Sequence, residues 1–235
     1  RKISVAKDQR GQPVLMLNNQ ALFQFGVLDK GYWPEGVYTA PTDEALRSDI
    51  ESIKRLGFNM CRKHLKVEPE CWYYWCDKLG LLVWQDMPSG DRITPYGQYE
   101  ITRHPKSAQQ FELEMERLIE GRRNHPSIVA WVPFHAGWGR YDTARILAKV
   151  KELDPSRLVL NTGSASVGVL GDMQSYTSDY KTAGAQGSDP RARILGECRS
   201  FPMPVAGHTW TTNVFRNPGP RIPPQSRYRQ RAIRA

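Results

Sequence analysis

No run of 18 or more apolar residues occurs in the 235-residue chain, so hydropathy gives no membrane-spanning helix and no membrane partner. The first residues, Arg1-Lys2-Ile3-Ser4-Val5-Ala6-Lys7-Asp8, contain no initiator methionine and no apolar signal core. They read as the interior of a longer protein, and the compartment stays open. The four cysteines (Cys61, Cys71, Cys76 and Cys198) form no Cys-x-x-Cys pair, and no His, Asp or Glu residues stand at metal-ligand spacing. No metal site is therefore expected. Cys71 and Cys76 lie five positions apart on one predicted helix, which disfavours a disulfide, and all four cysteines read as free thiols. There is no phosphate-binding P-loop, and no Gly-x-Gly-x-x-Gly turn follows the first predicted strand, so no nucleotide or other cofactor is expected. Residues 216–235 lack Asp, Glu and Lys but hold six Arg. Removing those six from the net charge of +9 leaves +3 for residues 1–215. The basic character thus belongs to a Pro- and Arg-rich tail that opposes regular structure, and it does not call for a nucleic-acid partner.

What is present is an alternation of short apolar runs and amphipathic stretches. Strands are expected at Leu22–Leu28, Phe58–Arg62, Leu81–Trp84, Ile128–Phe134, Leu158–Leu160, Asp172–Tyr176 and Arg193–Gly196. The helix after the first strand opens at Thr42, with Asp43 and Glu44 favoured in its first turn. Its buried stripe is read as Leu46, Ile50, Ile53 and Leu56, with Gly57 as the stop. Further helices are expected over 69–79 (with Trp72, Tyr73 and Trp75), around the stripe Phe111, Met115, Leu118 and Ile119, and over 142–153, ending before Pro155. Strands of unbroken apolar residues alternating with helices indicate a parallel α/β fold, either an open doubly wound sheet or a closed barrel. An eighth strand would begin near His208-Thr209-Trp210, after which the sequence turns into the tail.

In a barrel, function collects at the C-terminal ends of the strands. The residues there are Arg62 and His64 after the second strand, Asp86 after the third, and His135 and Trp138 after the fourth. Asn161 follows the fifth, Gln174 and Tyr176 lie in the sixth, and Glu197 ends the seventh. Aromatic rings for stacking on a pyranose, mixed with hydroxyl-bonding polar groups, describe a sugar site. Each residue also has a plain structural alternative. Arg62 and Asp86 can form an ion pair, Trp72, Tyr73, Trp75, Trp84, Trp131 and Trp138 can be core, and Glu197 can be a surface acid.

Several phrases resemble the catalytic barrel of glycoside hydrolase family 2, of the beta-galactosidase and beta-glucuronidase kind. They are Gly31-Tyr32-Trp33-Pro34-Glu35-Gly36-Val37-Tyr38-Thr39-Ala40-Pro41-Thr42-Asp43, Lys54 through His64, Trp72 through Pro88, and Asn124-His125-Pro126-Ser127-Ile128-Val129-Ala130-Trp131. The resemblance runs over about residues 12–210. It implies a (β/α)8 TIM-type barrel, incomplete around the eighth strand. Residues 1–21 would be a lead-in from upstream β-sandwich domains that this chain lacks, residues 22–212 the barrel, and residues 213–235 a disordered tail. It also implies a carbohydrate ligand and a retaining mechanism, in which two carboxylates about 5 Å apart serve as nucleophile and acid/base. Leu195-Gly196-Glu197 matches the nucleophile phrase, which makes Glu197 the nucleophile. Where the family has Asn-Glu after the fourth strand, this chain has His135-Ala136, so the acid/base position holds a methyl group. His135 is a conceivable weak substitute. Gln174 replaces a family His, and Cys198-Arg199-Ser200 replaces Phe-Gly-Gly. Arg62, His64, Asp86, Trp138, Asn161, Gln174, Tyr176 and Trp210 are the inferred sugar-binding residues. The expected activity is an impaired O-glycosyl hydrolase. The alternatives are a carbohydrate-binding pseudoenzyme and a decayed fragment.

Overall fold

The computed structural model describes residues 1–95, 98–135, 138–162, 170–178, 192–198, 203–205 and 208–213; for 174–178 and the described residues after 191 it describes backbone alone. The chain opens with an antiparallel meander of β1 (Ile3–Lys7), β2 (Pro13–Leu17) and β3 (Gln20–Ala21). Its second turn is Asn18-Asn19, with φ of 50° and 65°. Two successive left-handed residues make the hairpin turn whose twist matches the strands, and Asn tolerates that region better than most residues.

Seven parallel strands follow: β4 (Gly26–Asp29), β5 (Met60–Lys63), β6 (Leu82–Asp86), β7 (Ile128–Val132), β8 (Leu158–Asn161), β9 (Met173–Ser178) and β10 (Ala192–Cys198). Helices α1 (Asp43–Arg55), α2 (Glu70–Leu79), α3 (Pro105–Arg122) and α4 (Thr143–Leu153) fill the first four crossovers. The Thr42 hydroxyl caps α1 by accepting the Ala45 N–H at 3.1 Å. Gly80 ends α2 in the left-handed conformation, φ 75°, where a Cβ would be strained.

Three local expectations are corrected. The strand expected at Leu22–Leu28 is shorter and later. The Asn59 side chain accepts from the Phe25 N–H and donates to the Phe23 carbonyl, so a side chain takes the bonds that a neighbouring strand would have taken. In α1, Leu56 is exposed and Asp49 is buried beside Leu46, Ile50 and Ile53. The third concerns the eighth strand. The segment β12 (His208–Asn213) does lie beside β4, but it pairs antiparallel, Thr211 opposite Leu28, in a hairpin with β11 (Met203–Val205). The sheet order is β10-β9-β8-β7-β6-β5-β4-β12-β11, and among the described residues no ladder joins β11 to β10. The architecture is the incomplete TIM-type barrel.

Two apolar layers hold it. Val27, Cys61, Val83, Trp131 and Val159 face the helices and meet Leu46, Ile50, Trp72, Tyr73, Phe111 and Ile146. On the other side Met60, Leu82, Trp84, Ala130, Val132, Leu158 and Leu160 form the interior layer, joined by Ile3 and Leu15 of the N-terminal meander. The meander therefore covers the concave side of the sheet. Trp72, Tyr73, Trp84 and Trp131 are core, as their structural alternative holds, whereas Trp75 is half-buried against that core and Trp138 is exposed.

Candidate active site

Strand alternation sends Met60 and Arg62 to the interior while Cys61 faces the helices. One step above the apolar interior layer, Arg62 donates to both oxygens of Asp86, Nε to Oδ1 at 2.7 Å and the second fork at 3.0 Å. Both side chains are almost fully buried, at 2% and 0% exposure. A forked arginine–carboxylate pair fixes both planes, and in a buried setting neither partner can be lost cheaply. The ion-pair alternative for these two residues is what the fold contains.

Just beyond the strand ends, His64 and His135 meet edge to face, with ring centroids 4.5 Å apart and Nε2 of His64 3.2 Å from Nδ1 of His135. The His64 N–H donates to the Asp29 carbonyl, which pins the start of its loop. Burial lowers the His64 pKa to about 2, aided by His135, Arg62 and Lys30. Burial likewise lowers His135 to about 4, with Arg62 and Lys30 contributing. Both imidazoles are therefore neutral at pH 7. A neutral imidazole carries no readily donated proton, so His135 is a poor stand-in for a carboxylic acid. Residue spacing along the chain points to no metal site. The fold nonetheless brings nitrogen or oxygen atoms of His64, Asp86 and His135 within 4.8 Å of one another.

Lys30 was not anticipated. It follows β4 in a loop held by a buried network on the helix side of the sheet. Lys63 Nζ donates to Asp29 at 2.5 Å and to Glu68 at 2.8 Å, Lys66 pairs with Glu68 at 2.9 Å and donates to the Gly31 carbonyl, and Asp29 accepts the Gly31 N–H. Single residues of this set look like ordinary surface charges in the sequence. Only the convergence of loops that follow adjacent strands makes them a frame.

Trp138 is 42% exposed, and its backbone bridges Ile93 of the preceding rim loop. The next residue, Gly139, has φ 58°, and a Cβ there would stand 2.3 Å from the Gly90 carbonyl oxygen, so the two rim loops touch backbone to backbone. Asn161 is buried at the end of β8, opposite Gln174 of β9. Tyr176 of β9 stands opposite Leu195 of β10, and Glu197 opposite Thr177, with a register shift between Leu195 and Glu197. Such bulges re-aim a strand end. Trp210 lies in β12 opposite Met203. Ala136 and the tail 214–235 lie outside the described residues, as do Arg199 and Ser200. Cys61, Cys71 and Cys76 are free thiols, as expected; the Cys198 side chain is outside the description.

Residues 12–188 match the family described as glycosyl hydrolases family 2, TIM barrel domain. The chain belongs to glycoside hydrolase family 2. Among curated relatives, the beta-galactosidase of Lactococcus lactis subsp. lactis (strain IL1403) is 30% identical over 161 residues, which cover 68% of this chain and 15% of that protein. The beta-galactosidase of Vibrio cholerae serotype O1 (strain ATCC 39541 / Classical Ogawa 395 / O395) is 32% identical over 161 residues, covering 66% and 15%. The chain thus spans about 15% of the length of these relatives. Among solved structures, a Dictyoglomus thermophilum beta-D-glucuronidase has a TM-score of 0.67 at 18% identity, covering 83% of this family 2 chain and 39% of its own. An Eisenbergiella tayi beta-galacturonidase has a TM-score of 0.62 at 22% identity, covering 76% and 32%. These structural likenesses establish the barrel alone.

Proposed function

We propose that this chain is the catalytic barrel of a retaining O-glycosyl hydrolase with a live nucleophile, Glu197, and an empty acid/base position at Ala136. The observation that carries the reading is that Glu197, in the family's Leu-Gly-Glu phrase, is the penultimate residue of β10. The parallel register brings it to the same end of the sheet as Arg62, Asp86, His64 and His135. Support for a carbohydrate as the ligand comes from the relatives, named as beta-galactosidases, and from exposed Trp138 above a buried polar floor. Arg62, His64, Asp86, Asn161, Gln174, Tyr176 and Trp210 are assigned to hydroxyl contacts and stacking.

In this mechanism Glu197 attacks the anomeric carbon and forms a glycosyl-enzyme while the leaving oxygen departs. No carboxylic acid protonates that oxygen, and none later activates water. General acid–base help is typically worth about 10²–10⁴-fold, so natural glycosides lose most of their turnover. Glycosides whose leaving group needs no proton lose far less. The test is turnover of dinitrophenyl β-galactosides and β-glucuronides by purified protein, with and without azide, beside Glu197→Ala. Azide attacks without a general base and releases a trapped glycosyl-enzyme. Azide-enhanced release that disappears in Glu197→Ala is the expected result. A folded protein that releases nothing from any sugar would sink the catalytic reading. Saturable sugar binding in that protein would then favour the pseudoenzyme, for which the exposed Trp138 speaks, and no binding would favour a decayed fragment.

A further inference from the structure

We propose that His64, His135 and Asp86 form a binding site for one divalent transition-metal ion of the zinc or cobalt class, at the ends of β5, β6 and β7. The inference goes beyond the glycosidase reading and needs nothing from Glu197. Its basis is geometric. Two nitrogens bound at about 2.05 Å to a tetrahedral ion stand about 3.3 Å apart. His64 Nε2 and His135 Nδ1 stand 3.2 Å apart with their rings almost perpendicular, the spacing of two ligands on one ion. The third donor is already near, because a ligand atom from each of the three residues lies within 4.8 Å of the others. An ion shared by all three draws the two imidazoles towards Asp86, whose plane the Arg62 fork holds.

The donor chemistry selects the class of ion. Two imidazoles and one carboxylate suit zinc, cobalt, nickel or ferrous iron, whereas magnesium and calcium favour oxygen donors. Three donors leave at least one position for water or ligand, as open sites do. The Arg62 fork on Asp86 supplies the outer hydrogen bonds that ligating carboxylates usually have. The same guanidinium, with Lys30 nearby, places positive charge beside the site and makes binding weaker than at a closed structural zinc centre. A simple hydrogen bond between the two neutral imidazoles would also account for 3.2 Å, so the experiment has to separate the two.

The full chain, stripped with chelator and dialysed, is titrated with Co2+ and then Zn2+, reading the visible d–d bands and bound metal per chain. One Co2+ per chain, displaced by Zn2+, with affinity reduced about 10-fold or more in His64→Asn and His135→Asn but unchanged in His125→Asn, is the expected result. His125 pairs with Asp77 at 2.7 Å, away from the cluster, and serves as control. Circular dichroism checks that each variant folds. The unmutated chain gives an independent readout, because its imidazole nitrogen resonances shift for two histidines when Zn2+ binds them. No stoichiometric uptake, affinity in both cluster variants unchanged from that of the unmutated chain, thiolate-to-cobalt charge-transfer bands, or unmoved imidazole resonances at saturating Zn2+ would each overturn the proposal.

Discussion

Asp49 shows how one buried residue can set a pH dependence. It sits on the inner face of α1 next to the Lys63–Asp29–Glu68–Lys66 network, where two ammonium groups already face two carboxylates. No cation is left for a third acid, and Asp49 Oδ1 has no hydrogen-bond partner. Burial, reinforced by Asp29, raises its pKa to about 8. The folded state therefore holds a proton that the unfolded chain releases near pH 4. Stability from this group is present at and below that pH and falls as the pH rises towards 8. Asp49→Asn mimics the protonated acid. It should raise unfolding free energy at pH 8 by on the order of 2–4 kcal/mol and leave it nearly unchanged near pH 4. Urea melts at both pH values check this, and an equal effect at both would refute it. The opposite sign is expected at Asp86. Asp86→Ala removes the forked carboxylate from the buried Arg62 guanidinium, at a cost of about 3–5 kcal/mol in the same melts.

At the scale of elements, two acids of α3, Glu112 and Glu116, tie it to α4, and Glu112 makes most of the bonds. Glu112 of α3 accepts from Arg145 of α4 at 2.8 and 3.0 Å, pairs with Lys149 at 2.9 Å and accepts the Tyr141 hydroxyl at 3.2 Å. These bonds, led by Arg145, pull its pKa down to about 2. A depressed carboxylate stabilises above its unfolded pKa, and that contribution fades as the pH falls towards 2. Glu112→Gln should cost about 1 kcal/mol at pH 7, in keeping with a partly exposed cluster, and should flatten the acid limb of a stability profile measured from pH 6 to pH 3. The elements themselves were largely legible in the sequence. Thr42 caps α1, Phe111, Met115, Leu118 and Ile119 bury α3, and Gly80 stops α2, because each signal is local. The failures were non-local. The side chain that displaces a strand around Phe23–Phe25 is Asn59, more than thirty residues on, and the charges that act on buried Asp49 come from Asp29, Lys63, Lys66 and Glu68, all distant in sequence.

For the whole molecule, the parallel sheet was legible because buried parallel strands are unbroken apolar runs, and alternation then dictates which polar residues stand at the strand ends. The interior Arg62–Asp86 pair followed from that. The His64–His135 contact did not, since 71 residues separate them and only the adjacency of β5, β6 and β7 brings them together. The antiparallel eighth position was equally invisible, as strand direction leaves no mark on an apolar pattern. The packing of the N-terminal meander leaves no mark in the sequence either. A stretch read as a lead-in contributes Ile3 and Leu15 to the interior layer against Met60, Leu82 and Trp84, with Val5, Leu17 and Leu22 packed beside them, and β2 reaches β10 across the concavity. Fully burying an Ile or Leu side chain is worth about 1.5–3 kcal/mol, so these two alone account for about 3–6 kcal/mol. That is comparable with the whole stability of an ordinary domain, about 5–15 kcal/mol. Deleting residues 1–21 should therefore abolish the cooperative thermal transition and give a species that binds a hydrophobic dye. Ile3→Ala with Leu15→Ala in the full chain should lower the midpoint without changing the fold. If the truncated chain melted at the same temperature as the intact one, the meander would be an appendage and the interior layer would have to be held by the strands alone.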